Sequence, residues 1–134
     1  MYYFAFNNTS GPAAGVDNLK LRQAIAYAIN REELYLATGD TGASPATSFW
    51  GWHMKYYFDQ FDLDLSYNPD KAKELVAELG SNTTLHLMVN TTSSDYRIMS
   101  QVIQEQCRQV GITIIIDEVD SVRHRRLQLQ IRHP

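Results

Sequence analysis

Hydrophobic positions recur along this chain with two different periods. Between residues 18 and 29, Leu21, Ile25, Ala28 and Ile29 fall on one helical face, with Asp17 standing where an N-cap belongs. Asn30 followed by Arg31-Glu32-Glu33 reads as a fresh N-cap with an acid three residues on. The pattern therefore predicts a break at Asn30 and a short helix to about Leu36, ended by Gly39 and Gly42. Asn68-Pro69 opens a further helix, with Asn as cap and Pro at the first helical position. Its apolar face is Ala72, Leu75, Val76 and Leu79, and Gly80 is placed for a left-handed end.

The period then changes to two. Leu85, Leu87 and Val89 alternate with His86, Met88 and Asn90, which is a strand over 84–90. After the polar stretch Thr91-Thr92-Ser93-Ser94, with Ser94 the expected N-cap, a helix runs over 95–110. Its inward side is Ile98, Met99, Val102, Ile103, Cys107 and Val110, and Gly111 closes it. Ile112 to Ile116 is an almost continuous β-branched run, the pattern of a strand buried on both faces. At the other end of the chain, Tyr2 to Phe6 has strand character and stops in the turn-rich stretch Asn7 to Pro12.

These elements predict an α/β fold with a mainly parallel sheet and a βαβ unit at 84–119, its crossover right-handed. In such sheets ligands sit at the carboxyl ends of the strands. Here those ends are Asn7-Asn8, Asn90-Thr91-Thr92 and Asp117 to Asp120. Residues 39–68 keep no clean period and hold both tryptophans, Trp50 and Trp52, along with Phe49, Tyr56 and Tyr57. Long segments of this kind in compact domains are often functional. Exposed Trp and Tyr offer apolar area with a polar tip, although the same rings also serve to pack a loop onto its sheet. The candidate ligand-binding residues are Asn7, Asn8, Phe49, Trp50, Trp52, Asn90, Thr91, Thr92 and Ser93.

Composition narrows the chemistry. The 134 residues carry a net charge of −3, with 44% hydrophobic residues, an ordinary globular balance for one domain. The single cysteine, Cys107, excludes an internal disulfide or a cysteine-based zinc cluster and reads as a small buried hydrophobe. There is no nucleophile elbow, no phosphate loop and no dinucleotide fingerprint. The four histidines lack metal-binding spacing, and Asp59, Asp62 and Asp64 lack the rest of a calcium loop. His86 is expected to hydrogen-bond at the sheet surface. Neither catalysis nor a cofactor is expected, no stretch is long and apolar enough for a transmembrane helix, and no signal peptide is visible. That last point leaves a cytosolic protein or an internal piece of a longer chain.

Several words of the sequence resemble the family 5 extracellular solute-binding proteins, the oligopeptide, dipeptide and nickel receptors of ABC importers. Tyr3-Phe4-Ala5-Phe6-Asn7-Asn8-Thr9 resembles the family's "hydrophobic-x-Phe-Asn" strand. Leu21-Arg22-Gln23-Ala24-Ile25 through Ala28-Ile29-Asn30-Arg31-Glu32 is similar to its Arg-Gln-Ala helix, with Asn30 in place of the common Asp. Pro45-Ala46, the Tyr67-Asn68-Pro69-Asp70-Lys71-Ala72-Lys73 helix and the Val110-Gly111-Ile112 step follow in family order. The resemblance covers residues 2–120 and implies part of the carboxy-terminal lobe of a type II periplasmic-binding-protein fold. It further implies a peptide or other small solute enclosed between two lobes and delivered to ABC permease subunits. The implied location is extracytoplasmic, periplasmic or lipid-anchored, with no nucleic acid involved. The acidic residue that pairs with a peptide's amino terminus in this family has no counterpart here.

The chain divides at about residue 120. All 15 acids lie at or before Asp120, so residues 1–120 carry −7, whereas 121–134 hold Arg123, Arg125, Arg126 and Arg132 and carry +4. The expected organisation is a partial solute-binding lobe over 1–120 and an atypical basic tail over 121–134. A shifted reading frame or an artificial junction near Ser121 accounts for the tail. The rival is a small α/β interaction domain whose natural basic tail binds an anionic partner.

Overall fold

The computed structural model of the chain describes residues 6, 18–39, 65–80 and 83–123. Within them lie four helices and two strands: α1 (Leu19–Ala28), α2 (Arg31–Ala37), α3 (Pro69–Leu79), β1 (Thr84–Asn90), α4 (Ser94–Gln109) and β2 (Thr113–Val119). The expected strand at 2–6, the 40–64 segment and most of the tail fall outside the described residues.

Each helix starts where a short polar side chain can take up an orphan amide. Asn18, rather than Asp17, caps α1 by accepting from the Lys20 N–H at 3.0 Å. Asn30 stays extended and caps α2, accepting from Glu32 and Glu33 N–H at 3.1 and 3.4 Å. Asn68 caps α3 through the Lys71 N–H, with Pro69 in the first turn where its missing donor costs nothing. The cap of α4 is Ser93, one residue before the expected Ser94, and its hydroxyl makes no capping bond. Ser94 instead turns toward Asp95, with 3.4 Å between their oxygens.

The core is built around α1. Leu21, Ala24, Ile25, Ala28 and Ile29 are at most 3% exposed and meet Leu85, Cys107, Val110, Ile112 and Ile114 from the βαβ unit. On its other side α1 packs on α3, where Ala72 is fully buried and its small side chain lets the helices approach. The pair is tied at its rim by a Lys20–Glu78 ion pair at 2.6 Å, by Lys71 4.6 Å above the Tyr27 ring, and by the Asn68 N–H donating to the Tyr27 carbonyl.

β1 and β2 are parallel, in a register that runs from Thr84 opposite Thr113 to Asn90 opposite Val119. The βαβ unit is thus observed at the expected residues. Gly111 turns α4 into β2 with φ of 90°, and the Ile112 N–H closes the turn on the Cys107 carbonyl at 2.9 Å. Gln104 reaches from α4 to donate to the Ile114 carbonyl at 2.8 Å.

Burial of β2 corrects one expectation. The β-branched run predicts a strand covered on both faces, yet Ile114 is buried while Ile115 is 41% exposed. Helix α4 and the α1 face cover the side of Leu85, Leu87, Ile114 and Ile116. On the opposite side His86, Ile115 and Asp117 are exposed, while Met88 is half-buried and Val119, at the strand's end, is buried. Helix α4 also departs from its pattern, because Ser100 and Gln106 are buried while Ile98 and Val102 are only half-buried.

Two outcomes follow for stability. A Cβ at Gly80 would meet nothing within 4 Å, whereas at Gly111 it would lie 3.4 Å from Val76 Cγ1, and both glycines have positive φ. Gly80→Ala should therefore cost about 1 kcal/mol of backbone strain, and Gly111→Ala more, as read by urea unfolding. Burial pushes the Cys107 thiol up to about 12 from an ordinary 9.0. The unfolded chain then loses that proton first, so unfolding free energy should fall as pH rises from 9 toward 12. Cys107→Ser should flatten that slope in the same titration.

Candidate functional site

The carboxyl ends of β1 and β2 lie side by side, because the strands are parallel and in step. The β1 end is shaped by Asn90. Its Oδ1 accepts from the Thr92 N–H at 3.0 Å, from the Thr92 hydroxyl at 2.8 Å and from the Ser121 hydroxyl at 3.4 Å. That carboxamide thus folds the turn after β1 and links it to the segment after β2. Thr91 completes the link: its N–H donates to the Val119 carbonyl at 3.0 Å, and its hydroxyl reaches the same oxygen at 3.4 Å. After β2, Asp120 accepts from the Arg123 N–H at 2.7 Å and starts a helical turn at 121–123.

These bonds spend the donors of Thr91, Thr92 and Ser121 together with the Asn90 oxygen, and leave the Asn90 Nδ2 and the Ser93 hydroxyl. Asn90 Oδ1 holds three donors, which assigns the orientation of the amide. Among the described residues its Nδ2 has no acceptor. Ser93 lies beside it at the head of α4, half-buried, with a hydroxyl uncommitted to the helix. Asn90, Thr91, Thr92 and Ser93 thus form one partly exposed polar edge, whose uncommitted donors among the described residues are the Asn90 Nδ2 and the Ser93 hydroxyl. Asn7, Asn8, Phe49, Trp50 and Trp52 lie outside the described residues.

Other candidate chemistry resolves into structure. His86 and Asp117 pair across the strands, Nδ1 to Oδ2 at 2.8 Å, on the open side of the sheet. This is the surface hydrogen bond expected of His86. Among the described residues no three acidic, histidine or cysteine side chains gather in a way that could hold a metal ion. Cys107 is fully buried, as a small core residue would be. On α4, the Arg108 guanidinium beside Glu105 holds that exposed carboxyl down at about 2. Glu105, Gln109, Ile98 and Val102 border a shallow groove of about 310 Å³ between α2 and α4. Sequence reasoning passed over Ser121, whose hydroxyl joins the Asn90 network from beyond β2. No periodic or motif signal marks a lone serine of that kind.

A parallel βαβ unit with helices packed on it is part of an α/β fold, and the likeness to solved binding proteins given below makes it part of a lobe of the type II periplasmic-binding-protein kind. The sequence profile of the Bacterial extracellular solute-binding proteins, family 5 Middle, matches residues 1–131, and the chain belongs to that family. It is 33% identical over 123 residues to the glutathione-binding protein GsiB of Salmonella choleraesuis, covering 89% of this chain and 23% of that one. It is 27% identical over 121 residues to heme-binding protein A of Haemophilus influenzae, covering 82% and 20%. In structure it is similar to the ABC transporter substrate-binding protein CtaP of Listeria monocytogenes, with a TM-score of 0.75 and 28% identity over 85% of this chain and 24% of that one. The chain thus spans about a quarter or less of the relatives it matches.

The Asn90 network predicts a separation of two roles. Asn90→Asp keeps the acceptor that Thr92 and Ser121 use, so the midpoint of thermal unfolding should stay within a few degrees. Asn90→Ala removes it and should destabilise by about 1–2 kcal/mol, because the Thr92 N–H loses its partner. Differential scanning calorimetry of the two variants checks the order.

Proposed function

We propose that this chain is part of one lobe of a substrate-binding component of an ABC importer. In that role the whole protein captures a peptide-like solute between two lobes, outside the cytoplasmic membrane, and delivers it to membrane permease subunits. It binds and releases its solute without chemical change. The observation that carries this reading is the donor-bearing edge at Asn90–Ser93, found on a chain of a solute-binding family.

The chemistry suits a peptide backbone. A carboxamide whose oxygen is held inward presents N–H donors outward, and every peptide carbonyl is an acceptor whatever its side chain. Such contacts fix a main chain and leave its side chains unread. Aromatic residues then supply apolar area that tolerates variation. The proposed lining is therefore Asn90, Thr91, Thr92 and Ser93 together with Asn7, Asn8, Phe49, Trp50 and Trp52. GsiB is named for glutathione, itself a small peptide, which makes that tripeptide a rational first probe.

The isolated chain should bind weakly. Most of the surface that would enclose a solute between two lobes belongs to the greater part of the relatives that this chain does not span. Binding must still meet the full cost of immobilising the ligand. Titration of the ¹⁵N-labelled chain with glutathione and with trialanine should shift the amide signals of Asn90 to Ser93, saturating only in the millimolar range. Asn90→Asp should abolish most of that shift. Micromolar binding by calorimetry would overturn the weak-affinity expectation, and unmoved strand-end signals would overturn the site.

A further inference from the structure

Two arginine–glutamate pairs on α4 share one chemistry and differ in closure. Near the end of the helix Arg108 grips Glu105 with its fork, Nε to Oε2 at 2.8 Å and Nη2 to Oε1 at 2.7 Å. That bidentate geometry satisfies a guanidinium and a carboxylate together. The helix macrodipole also favours a cation in the last turn, where Arg108 stands. Arg97, the fourth residue of α4, meets Glu118 of β2 with Nε 3.7 Å from Oε1, too long for a hydrogen bond. Both of those side chains are half-exposed, so the pair contributes little to stability. A cation near the start of a helix also opposes the macrodipole. Neither the helix nor the ion pair accounts for an arginine at 97.

The place of Arg97 in the fold is more telling. Glu118 lies beside Val89 in the sheet register, one step before the last pair, Asn90 opposite Val119. The Arg97 guanidinium is therefore held at the carboxyl end of the sheet, one helical turn beyond Ser93. Among the described residues none of its N–H groups has a hydrogen-bond acceptor. The Ser93 hydroxyl and the Asn90 Nδ2 are in the same condition. The carboxylates at this end are engaged: Asp95 with the Ser94 hydroxyl, Glu118 with Arg97 and Asp120 with the Arg123 N–H. What this end of the lobe offers is thus donors, one of them a charged fork.

We propose that Arg97 binds a free carboxylate of the solute through its terminal Nη pair, with Nε kept toward Glu118, so that the lobe selects small peptides and related solutes with an unblocked carboxyl group. The inference rests on the function proposed above and adds the class of solute. A carboxylate is planar and offers two acceptors at the spacing of the guanidinium fork, which an amide does not. The Ser93 hydroxyl and the Asn90 Nδ2 are left for the neutral carbonyl groups next to it.

The test compares trialanine with trialaninamide, which differ only at the carboxyl group. Each is titrated into the ¹⁵N-labelled chain and read at the amide signals of Asn90 to Ser93 and at the Arg97 Nε–H signal. Saturation should need about fivefold less trialanine than trialaninamide, the size of an exposed ion pair. Trialanine alone should move the Arg97 side-chain signal. Arg97→Gln should weaken trialanine to the level of the amide and leave trialaninamide where it was. Arg97→Lys keeps the charge without the fork and should recover only part of the difference. Arg108→Gln removes the same charge at the far end of α4 and should leave the ratio intact. If Arg97→Gln fails to fold, the comparison of the two peptides on the wild-type chain still decides. Equal saturation by the two peptides, or a ratio unchanged in Arg97→Gln, would overturn the inference and leave the binding site standing. Unmoved signals at Asn90 to Ser93 with both peptides would overturn the proposed site and this inference with it. Inorganic phosphate saturating the Arg97 signal at lower concentration than trialanine would overturn the inference as well, because the fork would then serve a compact anion rather than a peptide's end.

Discussion

Everything else in the described structure depends on α1 being buried on two sides at once. Leu21, Ala24, Ile25, Ala28 and Ile29 join one buried cluster with residues of the βαβ unit, and α1 also packs on α3. A ten-residue helix can do this only if part of its surface is small, and the alanines provide that. Ala24, Ala28 and Ala72 are at most 1% exposed, so a larger residue at any of them would have to push two elements apart. The rim contacts, Lys20–Glu78 and Lys71 over Tyr27, are half in water and contribute little by comparison. The fold is thus held by shape in the middle and merely trimmed by charge at the edge.

The same arrangement explains what could be read from the chain and what could not. α3 and β1 were legible to the residue, because Asn68-Pro69 and Gly80 punctuate one and strict alternation marks the other. The break at Asn30 was legible because an Asn cap followed by two acids has few other uses. Burial was less so. The Ile112–Ile116 run looks double-faced because β-branched residues state a strand and not its coverage, and Ile115 is 41% exposed. Gln106 was invisible because a polar residue at a helical position reads as solvent-facing until the element it bonds is known. Its partner Asn30 is 76 residues away.

Of the nine candidate site residues, the four from Asn90 to Ser93 fall where topology alone puts the end of β1, since strand ends of a parallel pair converge wherever the register is even. What topology could not supply was the state of each polar atom. Asn90, Thr92 and Ser121 sort their hydrogen-bonding groups into those that build the turn and those that do not, and that sorting needs coordinates. His86 makes the contrast. It is a residue type associated with function, yet its Nδ1 partner Asp117 lies diagonally across the strands as ordinary sheet pairs do.

That contrast separates polar groups spent on the fold from those that are not. A protein interior satisfies nearly all its polar groups, because an unmet donor away from water costs more than a met one returns. At the end of β1 the Asn90 oxygen holds three partners while its nitrogen holds none among the described residues. Gln106 is the opposite case, a carboxamide with both atoms committed inside the fold. Two side chains of the same chemistry thus differ in commitment, one spending both its polar atoms on the fold and the other only its oxygen.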